Sequence, residues 1–315
     1  MEWEVKKKYL KFQIFLVSIC AVIVNNKEWT TSRYIMKTKQ KITYLNRLKP
    51  ILDKYYELYK KEYLCSDPLM YLHQYKRAED KEVVGLISAF MALGNVKQIQ
   101  KSIGNILEVL IPSPYDALMR WNNIDKLIIE KNVYHRFFTA PVIGSFLYAI
   151  HRILQEYGSL KKLFVPAINN GKNLQMSLSD IRNKFYHLAF SYYGSERKLK
   201  MLFAAPDKGG ACKRWLLFLR WMVRPDDCVD TGLWTEINPS MLIIPVDTHV
   251  CRIAQLLRLT RRRNPSWKMA EEITENLRYL DPQDPVKYDF ALTRIGMMHK
   301  NKVHDMIKTI FDTRC

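Results

Sequence analysis

Residues 244–254 read Ile244-Pro245-Val246-Asp247-Thr248-His249-Val250-Cys251-Arg252-Ile253-Ala254. Asp247 stands where a helix N-cap belongs. An aspartate there accepts the free N–H groups of the first turn, and the apolar positions that follow (250, 253, 254, 256 and 257) recur at helical spacing. Capping alone is a sufficient reason for an aspartate at this place. A carboxylate held at the mouth of a cleft can also steady a developing positive charge or handle a proton.

The same three- and four-residue spacing runs outward from this stretch along most of the chain, with few alternating segments. Leu48, Ile51, Leu52, Tyr55, Tyr56, Leu58 and Tyr59 mark one helix. Asp67-Pro68 reads as a cap and first-turn proline for a short helix through Tyr75. Asp80 is expected to open an apolar helix, Val83 to Leu93, that ends at Gly94-Asn95. Further helices are expected at Val96–Leu110, 113–120, 123–131 and, as one long buried element, Val133–Tyr157. Residues 164–178 read as a loop. Helical pattern resumes at Leu178–Tyr193, Arg197–Phe203, 212–223, 247–257, 266–279 and 284–300. No repeat, low-complexity block or glycine-rich phosphate loop interrupts this, so the expected class is all-α.

Composition sets the partner class. The 315 residues include 50 Lys plus Arg against 31 Asp plus Glu, a formal net charge of +19. A chain this basic favours a polyanion, either nucleic acid or a membrane surface. The six cysteines (Cys20, Cys65, Cys212, Cys228, Cys251, Cys315) show no C-x-x-C spacing and are too sparse for a secreted disulfide scaffold. A reduced, cytoplasmic setting follows, and no metal site is expected. Lys6, Lys7, Lys8 and Lys11 precede an apolar run, Phe12 to Val24, that is too short to span a bilayer as a helix. Residues 1–35 therefore read as an extension outside the fold, with residues 36–315 as a single domain. Without the extension the net charge is still +16.

Two more segments carry chemical interest. Ala205-Pro206-Asp207-Lys208-Gly209-Gly210-Ala211-Cys212-Lys213 leads into the apolar helix Arg214–Val223, and a glycine turn before a helix N-terminus can bring backbone N–H groups against a phosphate. It can equally be an ordinary helix–helix connection. Tyr288 to Gly296 reads as a core helix with a glycine allowing close packing.

Taken together, these segments resemble the helix-hairpin-helix DNA glycosylase superfamily of base-excision repair, over roughly residues 80–300. Pro245-Val246-Asp247-Thr248-His249-Val250 with Arg252 is similar to the stretch around that superfamily's catalytic aspartate. The resemblance implies a two-lobed helical fold of a bacterial branch. In its bifunctional members a glycine-bearing hairpin precedes a helix with a catalytic lysine, and Lys213 matches by order and context. Lys208 is the fallback nucleophile. Asn95 matches, weakly, a polar residue that wedges into the duplex. The hairpin lacks the usual Leu-Pro-Gly-x-Gly form, and Lys213 lies 34 positions before Asp247, a long interval shared with a divergent archaeal 8-oxoguanine branch. The extra residues, around Pro225-Asp226-Asp227 and Asn238-Pro239-Ser240, read as an inserted loop.

The implied activity is removal of a damaged base from double-stranded DNA by a monomer without small-molecule cofactor or iron–sulfur cluster, since only Cys315 lies where cluster ligands would be needed. Grip on DNA falls to Lys208, Gly209, Gly210, Asn95, Arg252, Arg261 and Arg262, with Arg258 and Arg263 beside them. His249 reads as a local hydrogen-bonding residue. Two other functions stay open: a non-catalytic nucleic-acid binder that kept the fold and lost the chemistry, and an RNA-directed enzyme or adaptor whose basic surface serves ribosomal or membrane contacts.

Overall fold

The computed structural model describes residues 38–62, 67–225, 227 and 229–297. The extension 1–35, Met36, Cys20, Cys65, Asp226, Cys228, Cys315 and the end of the expected helix 284–300 lie outside the described residues. The chain divides into two units, Met1–Tyr44 and Leu45–Cys315. Of the first, only the opening turns of one helix are described; the second carries every site residue discussed below.

The described residues form fourteen α-helices and no strand, which makes the protein all-α as the periodicity implies. In order they are α1 (Thr38–Glu62), α2 (Met70–His73), α3 (Ala78–Met91), α4 (Val96–Val109), α5 (Pro114–Arg120), α6 (Ile124–Glu130), α7 (Ala140–Tyr157), α8 (Leu160–Ile168), α9 (Leu174–Tyr193), α10 (Glu196–Leu202), α11 (Lys213–Val223), α12 (Thr248–Leu256), α13 (Trp267–Arg278) and α14 (Asp289–Met297). None of these helices is long and apolar enough to cross a membrane.

Three local expectations need correction. The apolar run from Val133 does not make one long helix. It starts with a tight turn in which His135 and Phe138 exchange backbone hydrogen bonds of 2.8 and 2.9 Å, and α7 begins only at Ala140. Pro141 is the signal for this, because proline is tolerated in a first turn and breaks a helix interior. Residues 164–178 are mostly helical. Asn173 caps α9 by accepting from Met176 N–H at 2.8 Å, so the loop shrinks to residues 169–173. Finally, α3 begins before Asp80, whose carboxylate instead accepts from Ser113 Oγ at 2.8 Å and Tyr115 N–H at 2.9 Å and so anchors the start of α5.

The core is built around α11. Every residue from Trp215 to Val223 is buried, and all but Arg220 are apolar, as expected of a helix enclosed by its neighbours. Phe90 of α3 stacks on Phe146 of α7 at 4.8 Å and meets Trp215 edge-on at 4.7 Å. Phe185 of α9 meets Trp215 at 5.3 Å, and Phe164 of α8 and Phe218 close on Trp234 at 5.3 and 5.2 Å. Burying each such ring contributes about 1.5–3 kcal/mol, and edge-to-face geometry adds to it. Lys213 is thus the first residue of a helix enclosed by the aromatic core.

Candidate active site

Asp247 does cap α12. Its Oδ1 accepts from both His249 N–H and Val250 N–H at 2.8 Å. The extended approach to it is fixed as well: Ile244 and Val246 are buried, and Ile244 N–H donates to Thr274 Oγ1 of α13 at 3.0 Å. With Oδ1 used by the helix, Oδ2 is left to face Lys213 Nζ at 3.2 Å. The Asp247 and Lys213 side chains are 15% and 31% exposed respectively, so the pair is largely shielded yet reachable. Burial pushes the Asp247 carboxyl up, but the Lys213 charge and the Val250 N–H outweigh it and hold the group below its usual value. Asp247 is therefore ionised at neutral pH.

The lysine is delivered by a strained entry into α11. Pro206–Lys208 make one 3₁₀ turn, Gly209 continues it at φ +76°, and Cys212 adopts φ +48° before the helix starts. Gly209 supplies its left-handed conformation without steric cost, whereas at Cys212 the same region costs about 1 kcal/mol. No side chain caps α11 at Cys212, whose buried thiol is pushed up to about 12. Arg214 locks the helix start. Its Nη1 donates to the terminal carbonyls of α10, Met201 at 3.0 Å and Leu202 at 2.5 Å, and its guanidinium lies 5.3 Å from the Phe138 ring.

Below the pair is a buried charge network that the sequence reading missed. Arg220 donates through Nε and Nη2 to Asp230 Oδ1 at 3.1 and 2.9 Å, and through Nη1 to Asp289 Oδ2. Arg224 joins Asp230, Asp284 at 2.9 Å and Asp227 at 3.2 Å. Asp227 Oδ1 also accepts from the N–H groups of Val229 and Asp230, so the stretch read as an inserted loop is pinned into the core. The signal available was two arginines, Arg220 inside the apolar stretch Trp215–Val223 and Arg224 directly after it; buried arginines need carboxylate partners.

The remaining candidates from the sequence are spread over the surface and the helix ends. Lys208 is 82% exposed and sits 3.6 Å from Asp207, so it is Lys213 that meets Asp247. Gly209 O accepts from Trp267 N–H at 3.0 Å, tying the glycine turn to the start of α13. Gly210 is exposed beside it. Arg261, Arg262 and Arg263 are exposed in the loop leading to the same helix, with Arg262 on Glu272 at 3.3 Å and the Arg262 and Arg263 carbonyls held by Gln255. Turn and arginine loop are thus joined through α13. Arg252, half-buried, gives Nη2 to Gly296 O at 2.6 Å, and His249 Nδ1 lies 3.2 Å from the same oxygen. Both tie α12 to α14. Asn95 is exposed and caps α4 through Gln98 N–H at 2.9 Å.

Next to Asn95 lies a feature the expected long helix concealed. In the 133–138 turn Val133, His135 and Phe138 are fully buried, while Tyr134 and Phe137 are 55% and 56% exposed. Arg136, at φ +53°, packs on Phe137 at 5.1 Å and reaches Gly94. The turn presents two aromatic rings and an arginine on a rigid base.

Among the described residues no group of three or more His, Cys, Asp or Glu could hold a metal ion. No curated protein and no solved structure matches the chain. A family match spans residues 67–298, which include Asn95, Lys213, Asp247 and Asp289. The chain belongs to the family described as "Protein of unknown function (DUF2400)".

Proposed function

We propose that the protein is a DNA base-excision glycosylase with lyase activity, built on a two-lobed fold like that of the helix-hairpin-helix DNA glycosylases. One observation carries this reading: Lys213 Nζ lies 3.2 Å from Asp247 Oδ2 although the residues are 34 positions apart. An amine at a helix N-terminus beside a carboxylate, both partly shielded from water, is what attack on a sugar carbon requires.

The target nucleotide rotates out of the duplex. As the bond from C1′ to the base nitrogen breaks, positive charge grows on the sugar and ionised Asp247 stabilises it; the base leaves with the bond's electron pair and takes up a proton. Lys213, as the neutral amine, attacks C1′. Ring opening gives a Schiff base, and β-elimination then releases the 3′ phosphate. The Gly209–Gly210 turn offers backbone N–H groups and Arg261–Arg263 supply charge for the phosphate backbone, and Tyr134, Arg136 and Phe137 fit the gap left by the rotated nucleotide, since aromatic and guanidinium planes stack on bases. The net charge of +19 agrees with a polyanionic partner.

Borohydride trapping on duplexes with 8-oxoguanine, uracil or an abasic site tests this. A covalent adduct is expected that Lys213→Gln abolishes, together with base release that Asp247→Asn slows by about 10²–10³-fold. DNA binding without base release or adduct on any lesion would instead support the non-catalytic binder.

A further inference from the structure

Among the described residues four arginines are buried: Arg182, Arg220, Arg224 and Arg294. Three of them rest on carboxylates. Arg220 and Arg224 hold Asp230, Asp284 and Asp289, and Arg294 meets Asp67 at 2.9 Å. Arg182 of α9 has no such partner. Its Nε donates to Phe203 O at 2.9 Å, its Nη1 to Asn183 Oδ1 at 3.0 Å, and its guanidinium lies 4.4 Å from the Tyr186 ring. Arg214, half-buried at the start of α11, is in the same condition, since its contacts are the Met201 and Leu202 carbonyls and the Phe138 ring. Three successive carbonyls at the end of α10 are thus taken by arginines from two other helices, and no carboxylate pairs with either.

A helix C-terminus favours a cation, but its carbonyls amount to about half a charge, so two guanidiniums there stay largely uncompensated. Withdrawing such a charge from water without a counter-charge is costly and needs a reason. The neighbours do not supply one. Cys212, whose thiol donates to Ala204 O at 3.7 Å in the same corner, is neutral, and Asp207 is exposed beside Lys208 and acts on Arg182 only from a distance. Burial accordingly pushes both guanidiniums down, Arg214 to about 10, whereas carboxylates push Arg220 and Arg224 up. Arg294 Nε is the one buried arginine N–H without a partner among the described residues, so the donors left over on Arg182 and Arg214 reach solvent.

We propose that Arg182 and Arg214 form a phosphate site at the end of α10, and that its ligand is one diester of the DNA backbone. The glycosylase reading above names DNA as the source of that phosphate; the site itself stands on the two uncompensated charges. Guanidinium forks match the two non-bridging oxygens of a diester, whose negative charge completes the corner. Arg214 directly follows Lys213 in α11, so a strand held there is fixed in register beside the amine.

The test is binding to a duplex that carries an uncleavable abasic analogue, with one phosphate at a time replaced by a neutral methylphosphonate. For the wild type, one position near the analogue should weaken binding about tenfold. In Arg182→Met and Arg214→Met the same replacement should have no further effect, and the salt slope should fall by about one counterion. Folded variants that respond to every methylphosphonate as the wild type does overturn the proposal and make the two arginines caps of α10 only. Should circular dichroism show that neither variant folds, the wild type decides. Duplex DNA should protect Arg214 from phenylglyoxal, read by peptide mass spectrometry, and unprotected Arg214 overturns the proposal. Inorganic phosphate at fixed ionic strength distinguishes the two sources of the ligand. If it raises the Tm of the wild type but not of the variants, and no backbone position is coupled, the site takes free phosphate and the backbone claim falls. Borohydride trapping on abasic DNA, run in parallel, separates this claim from the activity. An adduct without a coupled phosphate sinks the arginine site alone, whereas a coupled phosphate without an adduct keeps the site and sinks the glycosylase reading.

Discussion

Gly296→Ala sets two physical effects against each other at the back of the proposed site. In an unobstructed helix interior the change stabilises by about 1 kcal/mol, because glycine has more chain entropy to lose. At Gly296 an added Cβ would stand 2.8 Å from His249 Cβ, 3.2 Å from its carbonyl oxygen and 3.3 Å from its carbonyl carbon. Comfortable carbon–carbon contact is about 3.5–4.0 Å. Two of those three atoms are backbone, so no rotamer change relieves the clash and α14 must back away from α12 by about 1 Å. That move stretches the contacts of Gly296 O with Arg252 and His249, and His249 N–H is one of the two donors that hold Asp247. Overpacking of this kind costs about 1–3 kcal/mol, leaving a net loss of up to about 2 kcal/mol after the propensity gain. For a chain of this size that corresponds to a Tm lower by up to about 8 °C. Gly104→Ala is the control: its nearest neighbour would be Tyr71 Oη at 3.9 Å, so the entropy effect should act alone and raise stability. Urea denaturation of both variants measures the difference. Gly296→Ala protein stabilised as much as Gly104→Ala would refute the close packing of α14 on the capped helix.

Further outcomes are expected from the same geometry. Arg220→Met removes a partner from Asp230 and Asp289 at once and should cost about 3–5 kcal/mol, read as a lower urea midpoint with unchanged m-value. Asp247 has a folded-state pKa below its unfolded value, so its ionic contribution is fully present above about pH 4 and is lost as pH falls through the lower, folded value; the stability gap between wild type and Asp247→Asn should therefore be flat from pH 5 to 8 and close only below pH 4. Replacing Arg261 and Arg262 together by alanine should reduce the salt dependence of duplex binding by about two counterions while leaving lesion preference intact; an unchanged slope would remove this loop from the DNA-facing surface.

The legible parts of the site were those set by neighbours in sequence. Asp247 could be placed on its cap because an N-cap is decided within four residues, by one carboxylate and two N–H groups. The start of α11 after Gly209 was readable for the same reason. Where a local breaker was passed over, as with Pro141, a turn with three outward side chains was mistaken for helix interior.

The charge network beneath the pair follows a different rule. Arg220, Arg224 and Asp289 sit at positions whose spacing is that of the core, and periodicity reports that a position is inward without naming its partner. Asp230, Asp284 and Asp289 reach those arginines from loops and a helix 6 to 69 residues away. Sequence by itself determined that this chain is all-α and basic, and that Asp247 ends a turn with its carboxylate on a helix. Only the tertiary structure decided that Lys213 faces that carboxylate at 3.2 Å. The reason is physical: capping is a local hydrogen-bond choice, whereas the distance between two helix starts depends on how α11 packs among its aromatic neighbours and how α14 holds α12.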